Sequence, residues 1–217
     1  MKAMILAAGR GERMRPLTDN IPKPLLVVRG KPLIQYHIEA LVQAGITQIV
    51  INHAWLGEKI ESALGNGSHL GAEINYSPES DNVLETGGGI QRALPLLGEH
   101  PFVVVNGDVW TGFSYSELPR KIDALAHLVL VNNPPHNPKG DFAFKGQFLK
   151  NEGDIKFTYS GIGVYSPVLF SNCEPGRFPL APLLIEAMKN DKITGEIYSG
   201  FWMDIGTPER LKQINDN

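Results

Sequence analysis

Apolar residues along this chain fall into short, nearly unbroken runs. One starts at the N-terminus and takes in Met4-Ile5-Leu6; others are Ile46 to Ile51, Ala72 to Tyr76 and Phe102 to Val105. Short runs this rich in apolar residues predict buried strands, as in a parallel sheet. Between them the period changes. Pro32 opens a stretch with apolar residues at Ile34, Ile38, Leu41 and Val42, a helical spacing that Gly45 stops. Trp55 to Leu64 predicts a second helix, closed by Gly65-Asn66-Gly67, and Ile90 to Leu97 a third.

The second half has a different texture. Leu128 to Val131 and Ile162 to Tyr165 read as buried strands, but Asn132 to Gly140 is rich in Pro and Asn and predicts a loop. Phe142 to Phe157 mixes aromatic, Gly and charged residues in short runs, as hairpins do. Leu183 to Met188 predicts a helix, Phe201 to Ile205 a last strand, and Thr207 with Pro208 the cap and first turn of a final helix. Strands alternating with helices predict an α/β fold. We expect a single-domain, Rossmann-like three-layer sandwich over residues 1–217, its twisted sheet mostly parallel, with a small hairpin extension in the second half.

Composition narrows the function classes. A chain of 217 residues can bury a full core as one domain. Its net charge of −3 gives no reason to expect nucleic acid or an anionic membrane as partner. The single cysteine, Cys173, excludes an internal disulfide and has no basic neighbour in sequence to activate it. No apolar run approaches the roughly 20 residues of a membrane span, and Gly9-Arg10 interrupt the N-terminal run before it could act as a secretory signal. A cytoplasmic protein is expected, a monomer or small homo-oligomer. The six histidines show no zinc spacing and read as surface or core residues.

Candidate chemistry begins where the first strand ends, in Leu6-Ala7-Ala8-Gly9-Arg10-Gly11-Glu12-Arg13-Met14-Arg15-Pro16-Leu17-Thr18, with Lys23-Pro24 a few residues on. Small residues let backbone N–H groups approach an anion, and the arginines and lysine supply fixed cations. A triphosphate needs this combination. A basic surface turn is the plain alternative. A dinucleotide fingerprint would put a third glycine where Met14 stands, and a Walker loop would continue as Gly-Lys-Ser/Thr, which is absent. A second signal is Asn106-Gly107-Asp108 at the end of the run Val103 to Val105, and a third is Asp204-Ile205-Gly206 near the C-terminus. Two acids at strand ends suit Mg²⁺, which takes hard oxygen ligands and keeps several waters.

The run Leu-Ala-Ala-Gly-x-Gly-x-Arg-Met-x-Pro-Leu-Thr with the later Lys-Pro-Leu closely resembles the signature of the sugar-1-phosphate nucleotidyltransferases. The stretches around Asp108 and Asp204 match that pattern in the same order. The resemblance implies a nucleoside triphosphate and a sugar-1-phosphate as substrates and Mg²⁺ as cofactor, held by Asp108 and Asp204. It implies a nucleotide-binding half over about residues 1–110 and a sugar-binding half over about 111–217. Ala8, Gly9, Gly11, Glu12, Arg13 and Lys23 would then bind nucleotide, with Arg13, Lys23 and Asp108 catalytic. Glu79 would line the base edge and Gly87, in Glu85-Thr86-Gly87-Gly88-Gly89, would meet the base through bare backbone. On the sugar side the candidates are Asn106, Gly140 and Asp141, with Asn106 equally able to cap its own strand. Many relatives carry a Glu-Lys pair in the next strand region, where this chain reads Phe157-Thr158-Tyr159-Ser160. That departure counts against a plain glucose or mannose phosphate. The runs Ile51 to Gly57 and Leu84 to Gly89 are most similar to the branch of the family that acts on N-acetylmuramate α-1-phosphate. The mannose and glucose branches, and a catalytically silent nucleotide-sugar sensor, are the alternatives.

Overall fold

The computed structural model describes residues 1–79 and 83–216. The first half is an alternation: β1 (Ala3–Leu6), the two-residue strands β2 (Val27–Val28) and β3 (Lys31–Pro32), α1 (Leu33–Gln43), β4 (Gln48–His53), α2 (Gly57–Leu64), β5 (Glu73–Pro78), α3 (Glu85–Leu97) and β6 (Phe102–Asn106). The second half contains β7 (Val109–Thr111), β8 (Ala126–Val131), β9 (Phe142–Lys145), β10 (Phe148–Lys150), β11 (Lys156–Tyr165), α4 (Ala181–Lys189), β12 (Ile193–Tyr198), β13 (Trp202–Asp204) and α5 (Pro208–Asp216). Among the described residues no helix is long and apolar enough to cross a membrane.

Nine strands form the main sheet in the order β5-β4-β1-β6-β11-β8-β12-β10-β9. The first four are parallel to one another; β11 is inserted antiparallel beside β6, and β8 and β12 then run parallel to each other. The unbroken apolar runs are explained by burial on both faces. Ala3 and Ile5 of β1 pack with Ile49 and Ile51 against α1 and α2, while Met4 and Val50 pack with α3 and α4. Helices therefore cover both faces of the sheet, as the expected three-layer sandwich requires.

The hairpin β9–β10 does more than extend an edge. β10 pairs with β12, and β9 also pairs back onto the start of β11, Ala143 opposite Lys156. The strands β11, β8, β12, β10 and β9 thus close into a ring. A register shift at Ser160-Gly161 bends β11 so that one end pairs with β6 and the other with β9. The strand predicted over Phe201 to Ile205 forms at Trp202–Asp204 and pairs with β7 as a two-stranded ribbon separate from the main sheet. The strand β12 was not expected at all, because Gly195 and Glu196 interrupt its apolar pattern.

Candidate active site

The first strand ends at Leu6, and the loop leaving it lines a cleft of about 520 Å³. The walls of this cleft include Ala8, Gly9, Gly11, Glu12, Arg13, Lys23, Asn106 and Asp108. This is the carboxyl edge of the parallel strands, where open α/β sheets bind ligands. The loop's shape is set by Gly11, whose φ of 66° is left-handed and whose carbonyl accepts from Met14 N at 2.8 Å and Thr18 Oγ1 at 2.8 Å. A methyl group there would lie 2.9 Å from Thr18 Cγ2, so the position requires glycine. Gly9 has nothing within 4 Å of the place its Cβ would take. Arg13 is exposed toward the cleft, whereas Arg10 lies over the Trp55 ring, 5.9 Å from its centroid.

Asn52, at the end of β4, is a lining residue that the sequence pattern did not single out. Its Oδ1 accepts from Ala7 N at 2.9 Å and its Nδ2 donates to Glu79 Oε1 at 2.6 Å. The other carboxylate oxygen of Glu79 accepts from Leu84 N at 2.8 Å. Glu79 is only 7 % exposed and is absent from the cleft wall. Its carboxylate ties the ends of β4 and β5 to the loop before α3, so it braces the site where a base-edge contact was expected. An uninterrupted apolar strand ending in a buried Asn was the available signal, since such a polar group must find partners.

The triple glycine also has a packing reason. A Cβ on Gly87 would come within 2.5 Å of the Phe178 ring, one on Gly88 within 2.1 Å of Gly176 O, and one on Gly89 within 2.7 Å of Glu79 Oε1. Phe178 N donates to Leu84 O and Gly88 N to Phe178 O, each at 3.1 Å, strapping the segment before α4 onto the first turn of α3. Gly87 is buried and does not line the cleft, and among the described residues those lining it here are Val83, Glu85 and Thr86. Glu85 holds a left-handed φ of 61°, unusual for a residue with a side chain, and pairs with Arg177 at 2.9 Å.

Of the two acids of the metal hypothesis, Asp204 ends β13 and Asp108 immediately precedes β7, its partner in the ribbon. Asp204 stands opposite Val109, and Ile205 N donates to Asp108 O at 2.7 Å. Asp108 Oδ2 accepts from Lys23 Nζ at 2.6 Å. Asp204 Oδ2 accepts from Arg210 Nη1, which also donates to the Asp204 carbonyl at 3.0 Å. His136 Nε2 lies 2.9 Å from Asp204 Oδ1, within ion-pair reach but out of line for a hydrogen bond, and this buried oxygen has no hydrogen-bond partner. A carboxylate oxygen that accepts no hydrogen bond, on a strand whose neighbour starts at the residue after Asp108, fits a hard divalent cation. Among the described residues no three acid, His or Cys side chains cluster as a closed metal cage. Mg²⁺ needs none, because it binds through one or two carboxylates and fills its shell with waters and substrate phosphates.

A neighbouring cavity of about 500 Å³ shares Thr86 and Asn106 with the cleft and is lined by Gly140, Asp141, Tyr159 and an apolar wall including Leu180 and Leu184. The three sugar-side candidates are therefore brought together. Asp141 is already engaged, accepting from Tyr159 N at 2.8 Å and Asn137 Nδ2 at 3.1 Å, so it positions the cavity wall. Gly140 has φ of 64°, and its missing Cβ leaves room for Asn133 Oδ1.

The family described as Nucleotidyl transferase matches residues 2–144. The chain belongs to that family. It is 54% identical over 98% of its length to an N-acetylmuramate alpha-1-phosphate uridylyltransferase of Neisseria meningitidis, covering 96% of that protein. It is 33% identical to a protein of the same description from Caulobacter vibrioides, over 95% of this chain and 92% of that one. A mannose-1-phosphate guanyltransferase beta-A of Xenopus laevis is 30% identical over 96% of this chain, which spans 62% of that relative. In fold the enzyme is similar to the crystal structure of a putative glucose-1-phosphate thymidylyltransferase from Bacillus anthracis, with a TM-score of 0.87 over 100% of this chain and 94% of that one at 23% identity.

Proposed function

We propose that this nucleotidyltransferase moves UMP from UTP to N-acetylmuramate α-1-phosphate, giving the UDP-sugar and pyrophosphate. The observation that carries the transfer chemistry is a cationic, glycine-shaped loop that shares one cleft with Asp108, while Asp204 lines the adjoining cavity next to it. The base and the sugar are supported by the relatives from Neisseria and Caulobacter. Arg13, Lys23, Asp108 and Asp204 are all present, which weighs against a silent sensor on the same fold.

Arg13 and the backbone from Ala8 to Gly11 hold the β and γ phosphates. Lys23 leaves Asp108 to neutralise charge gathering at the α-phosphate. The base lies against the loop Val83 to Thr86, kept rigid by Glu79 and by Phe178 packed on Gly87. Asn106 faces both the nucleotide cleft and the sugar cavity, where it can hydrogen-bond the acceptor sugar. Asp108 and Asp204 would hold Mg²⁺, which when bound neutralises phosphate charge and orients oxygens. An oxygen of the acceptor phosphate forms the new bond to the α-phosphorus as the bond to the β-phosphate bridge breaks, and pyrophosphate leaves with that electron pair. A phosphate monoester is already an anion, so no general base is needed, and the protein's part is positioning and charge stabilisation.

The test is Mg²⁺-dependent pyrophosphate release with UTP against the α-1-phosphates of N-acetylmuramic acid, N-acetylglucosamine, glucose and mannose. Strong preference for the muramate supports the reading. Preference for a plain hexose would keep the mechanism and move the substrate, and release with none of them would end the transfer reading.

A further inference from the structure

The enzyme joins two phosphorylated substrates, and each brings negative charge to one place. Arg10, Arg13 and Lys23 line the first cleft. Among the described residues, the cavity holding Asn106, Gly140 and Asp141 is lined by no Lys, Arg or His, and Lys139, Lys145 and Lys156 line neither space. That cavity therefore offers an acidic group of the acceptor no basic side chain.

A further cavity of about 520 Å³ opens at Asp204, with Pro134, Pro135, Tyr198 and Trp202 among its walls and His136 and Arg210 at the carboxylate. Gly206 shows that this cavity meets the nucleotide cleft. It lines the cleft, and a methyl group on it would lie 3.0 Å from Asp204 Oδ2, 3.3 Å from Arg210 Nη1 and 3.5 Å from Arg13 Nη2. Two guanidinium groups, one from the phosphate loop and one from α5, thus converge on a single point beside Asp204. The proline-rich loop brings a third basic side chain there, with His136 Nε2 at 2.9 Å from Asp204 Oδ1. A planar guanidinium and an imidazole N–H next to the reacting phosphates form an anion-reading pair.

We propose that His136 and Arg210 bind an anionic group of the acceptor, either its phosphate or an acidic substituent on its sugar. This rests on the transfer reaction proposed above. The Asp204 carboxylate holds the Arg210 guanidinium, with the His136 imidazole beside it. When acceptor arrives they turn to its anion, while the rings of Tyr198 and Trp202 and the two prolines give that part of the sugar an apolar wall.

The deciding experiment is steady-state kinetics of His136→Ala and Arg210→Lys with N-acetylmuramate and N-acetylglucosamine α-1-phosphates, beside direct titration of each variant with UTP and with Mg²⁺. The His136 side chain is 40% exposed on a loop, so its removal leaves the core intact, and a melting curve checks this. His136→Ala is expected to raise the acceptor KM about tenfold or more while UTP affinity stays within about twofold, the loss of one charge-assisted contact. Arg210→Lys, keeping charge but losing the fork, is expected to act in the same direction. A rise with both sugars identifies the phosphate as the anion; a rise with the muramate alone identifies its carboxylate. Unchanged acceptor KM values would overturn the proposal. So would UTP and Mg²⁺ affinities that fall as far as acceptor binding, because the pair would then only be holding Asp204. Failure of the transfer reading itself would show earlier, as absence of pyrophosphate release by the unsubstituted enzyme.

Discussion

Lys23 and Asp108 stand 85 positions apart in the chain and meet at 2.6 Å, Nζ to Oδ2. The lysine side chain is 12% exposed and the aspartate 31%, so the pair is partly desolvated and oriented before any substrate binds. Asp108→Asn keeps an oxygen for Lys23 to donate to but removes the charge a cation would need. Turnover is expected to fall about 10³-fold while stability changes by about 1 kcal/mol. Pyrophosphate release and thermal melting of the same preparation check the two numbers. Equal loss of both would mean that the carboxylate serves the fold.

Gly87 and Phe178 are predicted to be coupled. Because a Cβ at residue 87 meets the Phe178 ring at 2.5 Å, Gly87→Ala should cost about 2 kcal/mol of stability through overpacking. Adding Phe178→Ala should return part of that cost, so that the double variant is more stable than the two single losses predict. Urea denaturation of all four proteins gives the coupling. A Gly87→Ala protein of normal stability but poor UTP binding would restore the expected contact between this glycine and the base.

Glu79 is expected to behave as a brace. Glu79→Ala strands Leu84 N–H and the Asn52 amide, and should destabilise by about 3 kcal/mol. Its UTP affinity should fall only as the loop before α3 loosens, which hydrogen exchange at Val83 to Thr86 would report. Normal stability with lost UTP binding would make Glu79 a ligand contact after all.

His37 supplies a pH dependence. It is 4 % exposed, it hydrogen-bonds Tyr115 OH through Nδ1 at 2.9 Å, and burial pushes its pKa down to about 4. The folded state keeps the ring neutral where the unfolded chain takes up a proton, so stability is full above the ordinary value near 6.5 and is lost as pH falls below it. The loss attributable to His37 should reach about 2 kcal/mol at pH 5. Chemical denaturation at pH 7.5 and pH 5, compared with His37→Gln, isolates it. An equal acid loss in the variant would assign the effect to other groups.

The elements legible in the sequence were those whose burial is uniform. β1, β4 and β6 are covered on both faces, so their central residues, Ala3 to Leu6, Ile49 to Ile51 and Phe102 to Val105, are apolar and the run announces itself. β12 carries Gly195, where a Cβ would strike Leu128 O, and Glu196 on its partly open face, so its composition is dictated by its neighbours. The phosphate loop was legible because its glycine, cations and Lys-Pro are close in sequence. The meeting of His136 and Arg210 at Asp204 was not, because the strand ribbon and the proline-rich loop that bring them together are tertiary facts. Glu79 and the triple glycine stand out in the sequence, but their contacts with Asn52 and Phe178, which give them a packing role, join segments far apart in the chain.

The ring formed by β11, β8, β12, β10 and β9 leaves the main sheet with a single open rim among the described residues, the outer side of β5. Strand edges are where chains add to one another and aggregate. β5 exposes Glu73, Asn75 and Pro78, a charge, a polar group and a residue with no N–H to offer. An enzyme built this way can be held at high concentration with little risk of edge-to-edge growth, and a fusion or label placed near β5 is the change most apt to remove that protection.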